Sequence, residues 1–106
     1  MPRAYSPQTS AALKLLGSQI RLARTRRRMT VEELAERVGV SAPTIRQIER
    51  GSPTVGAGVM FEAAVILGVP LFDEQPAAVG REARRVSTEL ALLPKRARRS
   101  AVNNDF

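Results

Sequence analysis

The run from Thr30 to Gly51, TVEELAERVGVSAPTIRQIERG, constrains this chain most, because its spacing predicts two short helices and the tight turn between them. Val31, Leu34, Ala35 and Val38 recur at i, i+3, i+4 and i+7, one apolar stripe at the helical period. Thr30 supplies the start: its hydroxyl can accept from a first-turn amide, and Glu33 completes a capping box whose carboxylate favours the positive helix end. Gly39 supplies the stop, since glycine takes the left-handed conformation cheaply. Val40 then turns inward, and Ser41 caps a second helix with Pro43 in its first turn. Ile45 and Ile48 anchor that helix, which leaves Ala42, Pro43, Arg46, Gln47 and Arg50 largely on the opposite, solvent-facing side, and Gly51 ends it.

The flanks extend the helical pattern. Upstream, Ser10 precedes a stripe of Leu13, Leu16, Ile20 and Ala23 running to about Arg28, with Gly17 a slight weakness. Arg21, Arg24, Arg26, Arg27 and Arg28 crowd the last turns of this helix. Two causes compete for them: the macrodipole stabilises cations at a helix C-terminus, and the same cations can clamp phosphates. Downstream, AGVMFEAAVILGVPLF (57–72) contains Glu62 as its one charge. Met60, Phe61, Ala64 and Leu67 are expected in the core, so Val59, Val65, Ile66, Leu71 and Phe72 need a second surface to cover them. A dimer interface is the expectation, and the alternative is a basic tail folded back over the patch.

A helix, a short glycine-containing turn and a second helix form the unit used for major-groove reading. In Ile20, Arg24, Thr30, Glu33, Leu34, Ala35, Gly39, Val40, Ser41, Ile45, Ile48, Glu49, Gly51, Leu67, Gly68 and Val69 the chain resembles the Xre, or lambda-repressor-like, helix-turn-helix family. The resemblance runs from about Leu16 to Val69. It implies an all-α, lambda-repressor-like bundle of four to five helices with a helix-turn-helix and a basic C-terminal extension. It also implies double-stranded DNA as partner, read by a homodimer on an inverted repeat whose half-sites lie one DNA turn, ~34 Å, apart. Ala42, Pro43, Arg46 and Gln47 would face base edges, with Arg46 suited to guanine and Gln47 to adenine. Ala42 and Pro43 offer no hydrogen bonds, which points to thymine methyls or shape readout. Arg28, Thr30, Ser41, Thr44 and Arg50 would meet phosphates, and Ser41 serves equally as a cap. In the family an arginine matching Arg24 pairs with a glutamate matching Glu49, a structural role. Val31 stands where the family often has a phosphate-binding glutamine, so one anchor is missing.

Composition agrees. Basic residues outnumber acidic ones by ten to seven over residues 1–75 and by seven to three over 76–106, for a net charge of +7. Such a balance favours nucleic acid, or simply solubility. With no cysteine or histidine, disulfides, thiolate or imidazole metal ligation and histidine-based catalysis are excluded. No glycine-rich phosphate loop or nucleophile-base pair is visible, so neither an enzyme nor a cofactor is expected. No signal peptide or spanning segment is evident, and the chain reads as cytoplasmic and nucleoid-associated, without membrane contact.

The expected organisation is an N-terminal arm (1–9), a DNA-binding and dimerisation domain (10–75) and a basic extension (76–106), partly helical or disordered. In the extension Val79, Ala83, Val86, Leu90 and Leu93 form a stripe that Pro94 ends. Arg81, Arg84, Arg85, Leu90, Lys95, Arg96, Arg98 and Arg99 are its candidate partner-binding residues. Tyr5, Ser6 and Pro7 leading into the first helix, with a short tail after the core, resemble HipB-like antitoxins. That resemblance implies an autorepressing antitoxin that also neutralises a HipA-like serine/threonine kinase toxin. A stand-alone Xre-type regulator without a toxin is the alternative.

Overall fold

Five helices form among residues 4–94, which the structure, a computed structural model, describes: α1 Pro7–Arg26, α2 Val31–Val38, α3 Ala42–Glu49, α4 Ala57–Leu67 and α5 Pro76–Ala91. The fold is all-α, and the isolated bridge between Leu71 and Glu74 merely closes a turn.

The first helix starts earlier than the Ser10 cap predicts. Ser6 is the cap: its backbone is extended, its hydroxyl accepts from the Thr9 amide at 3.2 Å, and Pro7 takes the first helical position, where a missing N–H costs nothing. Residues 7–9 are therefore helical rather than part of an arm. The helix also stops short of Arg28. Arg28 is left-handed (φ 54), its amide donates to the Thr25 carbonyl at 2.9 Å, and the Met29 amide donates to Arg24 at 3.1 Å, a Schellman ending. Glycine holds the equivalent place after α3 (Gly51, φ 79) and after α4 (Gly68, φ 72), whereas an arginine holds it here, so no residue type marks the stop.

The boundaries of α2 follow from local chemistry. The Thr30 hydroxyl accepts from the Glu33 amide at 3.0 Å and the Glu33 carboxylate accepts from the Thr30 amide at 2.8 Å, while Gly39 closes the helix at φ 87. The Thr30 amide, and then its hydroxyl, hold the Glu33 carboxyl below its ordinary value. A carboxyl lowered in this way contributes its stability in full above the unfolded pKa and loses it as pH falls through the lower folded value. Thr30→Ala is expected to cost about 1 kcal/mol. Urea unfolding at neutral and at strongly acidic pH checks both statements: an unchanged midpoint in Thr30→Ala would remove the cap from the account.

Ile20, Leu34, Ile45 and Ile48 are fully buried where α1, α2 and α3 meet, and Met60, Ala63, Ala64 and Leu67 close the core from α4. Phe61, expected in this core, is exposed, and Ala63 is buried in its stead. The inward stripe of α4 is 60, 63, 64 and 67, and Phe61 lies one residue, about 100°, off it. Gly17, read as a weakness, is a buried contact: a Cβ there would stand 2.3 Å from the Ile48 carbonyl oxygen and 3.0 Å from that of Glu49. The chain after α4 turns sharply. Leu71 and Glu74 exchange backbone hydrogen bonds at 2.8 Å across Phe72 (φ 55) and Asp73 (φ 62), a pairing with both central residues left-handed. This turn drives Leu71 into the core and Phe72 out of it.

Candidate nucleic-acid interface

The exposed side of α3 is set by what the helix buries. Ile45 and Ile48 are inaccessible to solvent, which turns Pro43, Arg46, Gln47 and Arg50 outward. Ala42 departs from the expectation of a solvent-facing base reader: it is half-buried and packs against the core, because it lies three residues before Ile45 on the same face. Ser41 caps α3, its hydroxyl accepting from the Thr44 amide at 3.4 Å and lying 3.0 Å from the Thr44 hydroxyl. Thr44 itself is half-buried, whereas Thr30 and Ser41 remain exposed at the starts of their helices. One of these two hydroxyls donates to the other, and the proton left over can be donated to an incoming oxyanion.

Behind this face lies a bidentate ion pair. Arg24 donates from Nε to Glu49 Oε2 at 2.6 Å and from Nη2 to Oε1 at 3.0 Å, while Nη1 donates to the Met29 carbonyl at 2.8 Å. The side chains are 13% and 8% exposed, so the pair ties α1 to the end of α3 almost out of contact with water. The Glu49 hydrogen bonds push the Arg24 pKa up, with burial opposing and the Glu49 and Glu32 charges adding to the rise. Arg24 is consequently a fixed strut.

The other arginines of the α1 cluster divide into separate tasks. Arg27 donates from Nη1 to the Ile66 carbonyl at 3.1 Å and so satisfies an acceptor at the end of α4. Nothing in the sequence spacing pointed to that contact, which depends on how α1 and α4 meet. Arg21 lines a cleft with Val31, Arg46 and Arg50, over the Arg24–Glu49 pair. Arg26 and Arg28 are exposed. The pair beneath is neutral as a unit, so Arg21, Arg46 and Arg50 give the cleft a cationic rim, the electrostatic requirement for holding phosphodiesters. The missing glutamine at Val31 leaves that part of the rim apolar.

Arg46 is exposed, as its spacing predicts, and its Nη2 donates to Oε2 of Glu32, in the first turn of α2, at 3.2 Å. Glu32 had no role in the sequence reading, because only the crossing of α2 and α3 brings it there.

The residues expected at a dimer interface separate. Leu71 is buried in the monomer and unavailable to a partner, since the turn over 71–74 points it inward. Val59 and Ile66 are half-buried against the core, while Val65 and Phe72 are exposed. Phe61 joins them: its ring meets that of Phe72 edge to face, with centroids 6.0 Å apart. Along α5, Val79 reaches the core, but Ala83, Val86 and Leu90 lie open, and Leu93, expected on the same stripe, is exposed beyond the end of the helix at Ala91. Phe72, Val79, Ala83 and Val86 line an apolar groove flanked by Glu74 and Glu82. Of the extension's charged residues, Arg85 bridges Glu82 and Glu89 along the helix, and Arg81 and Arg84 are exposed. Lys95, Arg96, Arg98 and Arg99 lie outside the described residues. No helix among the described residues is long and apolar enough to cross a membrane.

A family described as "Helix-turn-helix domain" matches over residues 15–77. Two relatives, uncharacterized HTH-type transcriptional regulators of Sinorhizobium medicae (strain WSM419) and Rhizobium meliloti (strain 1021), are each 38% identical over 64 residues. Those residues are 58% of this chain and 46% of each relative, so the chain spans about half the length of the curated relatives it matches. The clp gene regulator ClgR of Corynebacterium glutamicum, a solved structure, aligns over 74% of this chain and 83% of its own at 26% identity, with a TM-score of 0.48.

Proposed function

Because the chain belongs to the helix-turn-helix domain family, we propose that it is a sequence-specific DNA-binding transcriptional regulator that represses by occupying an operator, without chemistry of its own. One observation carries this reading: Pro43, Arg46, Gln47 and Arg50 form an outward face on a helix locked by two buried isoleucines, beside a rim of arginines. Arg46 and Gln47 would read base edges with Pro43 and part of Ala42, while Arg21, Arg28, Thr30, Ser41, Thr44 and Arg50 would hold phosphates. Its place would be the cytoplasm, on the nucleoid. The reading further supposes a homodimer joined through Val65, Phe72 and Phe61, which the uncovered apolar area supports.

The test is a binding titration against duplexes from the chain's own promoter region at two salt concentrations. Arg46→Ala is expected to lose about 1–3 kcal/mol of operator affinity and to relax one base preference. Two chains should bind per inverted repeat. Binding that is indifferent to salt, or unaltered in Arg46→Ala, would count against the α3 face as the reader.

A finer reading makes this regulator an autorepressing antitoxin that also holds a HipA-like kinase toxin through the extension. The uncovered stripe of α5, with Arg81, Arg84 and Leu90 exposed along the same helix, favours it, as does the resemblance at Tyr5, Ser6 and Pro7. Purification from the native host distinguishes the two: a stoichiometric kinase supports the antitoxin, and arrival without one leaves the stand-alone regulator.

A further inference from the structure

We infer that Glu32 is a specificity-determining positioning residue, which acts through Arg46 and discriminates against wrong DNA at the expense of general affinity. This rests on the reading of α3 as the helix that meets DNA. The two side chains come from different helices and meet at 3.2 Å, with Arg46 49% and Glu32 68% exposed. An ion pair so open to water adds little to folding. A carboxylate beside the cationic rim is also repelled by every phosphate that approaches. The helix dipole favours any carboxylate in the first turn of α2, but general DNA affinity does not account for one set against Arg46.

The geometry of the guanidinium does. Arginine presents five N–H donors in a planar fork, and Glu32 engages the fork at Nη2 alone. Enough donors remain to address guanine O6 and N7 together. A long side chain already held on one side has less freedom to lose when it docks. The same contact penalises the alternatives: if Arg46 swings to a phosphate or finds no acceptor on the base, Glu32 is left unpaired next to the DNA backbone. The carboxylate thus holds Arg46 for the right base and makes the wrong complexes worse, which is how a repulsive element adds specificity.

The experiment uses the full chain with Arg46→Ala, Glu32→Ala and Glu32→Gln variants. Selection from randomised duplexes first locates the base pair whose preference Arg46→Ala abolishes. Anisotropy titrations then compare the selected site, the same site changed at that base pair, and an unrelated duplex. Glu32→Ala is expected to bind the unrelated duplex about threefold more tightly, since one repelled charge is gone. Its ratio of selected to changed site should fall about fivefold, a part of what one bidentate base contact supplies. Glu32→Gln, which keeps an acceptor oxygen without the charge, should recover part of that ratio. An unchanged ratio in Glu32→Ala, alongside a reduced one in Arg46→Ala, overturns the role of Glu32 and leaves the DNA-binding reading intact. Should the selection show every base preference intact in Arg46→Ala, both the role of Glu32 and the α3 face as the reader are overturned.

Discussion

Gly17→Ala is expected to destabilise the protein by about 3 kcal/mol or more, a cost at the upper end of what overpacking usually brings. The new methyl would stand 2.3 Å from the Ile48 carbonyl oxygen, and both that oxygen and its neighbour at Glu49 belong to the last turn of α3. Backbone cannot rotate away as a side chain does. The Ile48 carbonyl is in addition committed to the Gly51 amide at 3.0 Å, within the Schellman ending of α3. Relief would require α1 to slide off α3, which would open the packing of Ile20 and stretch the Arg24–Glu49 pair. The sign is what makes the experiment decisive. Helix propensity alone favours alanine over an interior glycine by ~1 kcal/mol, so a sequence-only argument predicts stabilisation. A urea midpoint that rises in Gly17→Ala would mean that α1 does not cross α3 at this distance. Gly51 guards the other side of the same crossing, where a Cβ would meet the Lys14 backbone at 2.8 Å.

Arg24→Ala should be comparably damaging. It strands the Glu49 carboxylate, whose side chain is 8% exposed, and removes the donor that satisfies the Met29 carbonyl. Breaking one half of a buried pair costs ~3 kcal/mol or more, because the remaining charge keeps its desolvation penalty and loses its partner. In a domain of this size that corresponds to a fall in Tm on the order of 15 °C. A fall of only a degree or two in a thermal melt would contradict the account. Arg24→Met combined with Glu49→Leu separates the pair's net worth from the cost of an orphan. Well-packed apolar replacements often match or exceed a buried ion pair, so the double variant should recover most of the lost stability. DNA binding by the folded fraction should survive in that double variant, since neither residue belongs to the exposed face of α3.

The segment from Thr30 to Gly51 was legible in the sequence because every decision in it is local. A hydroxyl caps the helix that it precedes, a carboxylate three residues on closes the box, and a glycine accepts positive φ. The first helix was read less well at both ends. Ser6 rather than Ser10 starts it, and Pro7 at the first helical position was the available signal. Its end was hidden, since the left-handed residue is Arg28 and glycine's mark is absent.

The errors in the candidate interfaces share a cause. Ala42 was placed outward although its spacing from Ile45 puts it on the inward face. Leu71 was placed outward with Phe72, but adjacent residues in a tight turn point in opposite directions, and here the turn consists of non-glycine residues that announce no positive φ. The contacts of Glu32 and Arg27 are not legible in the sequence because their partners, Arg46 and Ile66, are remote along the chain.

The sequence by itself determined the helices, their caps around the turn and the exposed polar face of α3, together with the basic balance of the whole chain. These follow from hydrogen-bonding rules within one helical turn and from the 3.6-residue period. Only the tertiary structure decided that Gly17 is a point of close approach, that Arg27 holds α4, that Leu71 is core and Phe72 surface, and that Glu32 stands over Arg46. Each of those depends on the angle and distance at which two helices cross or on the direction of a strained turn, and no single turn of sequence specifies either.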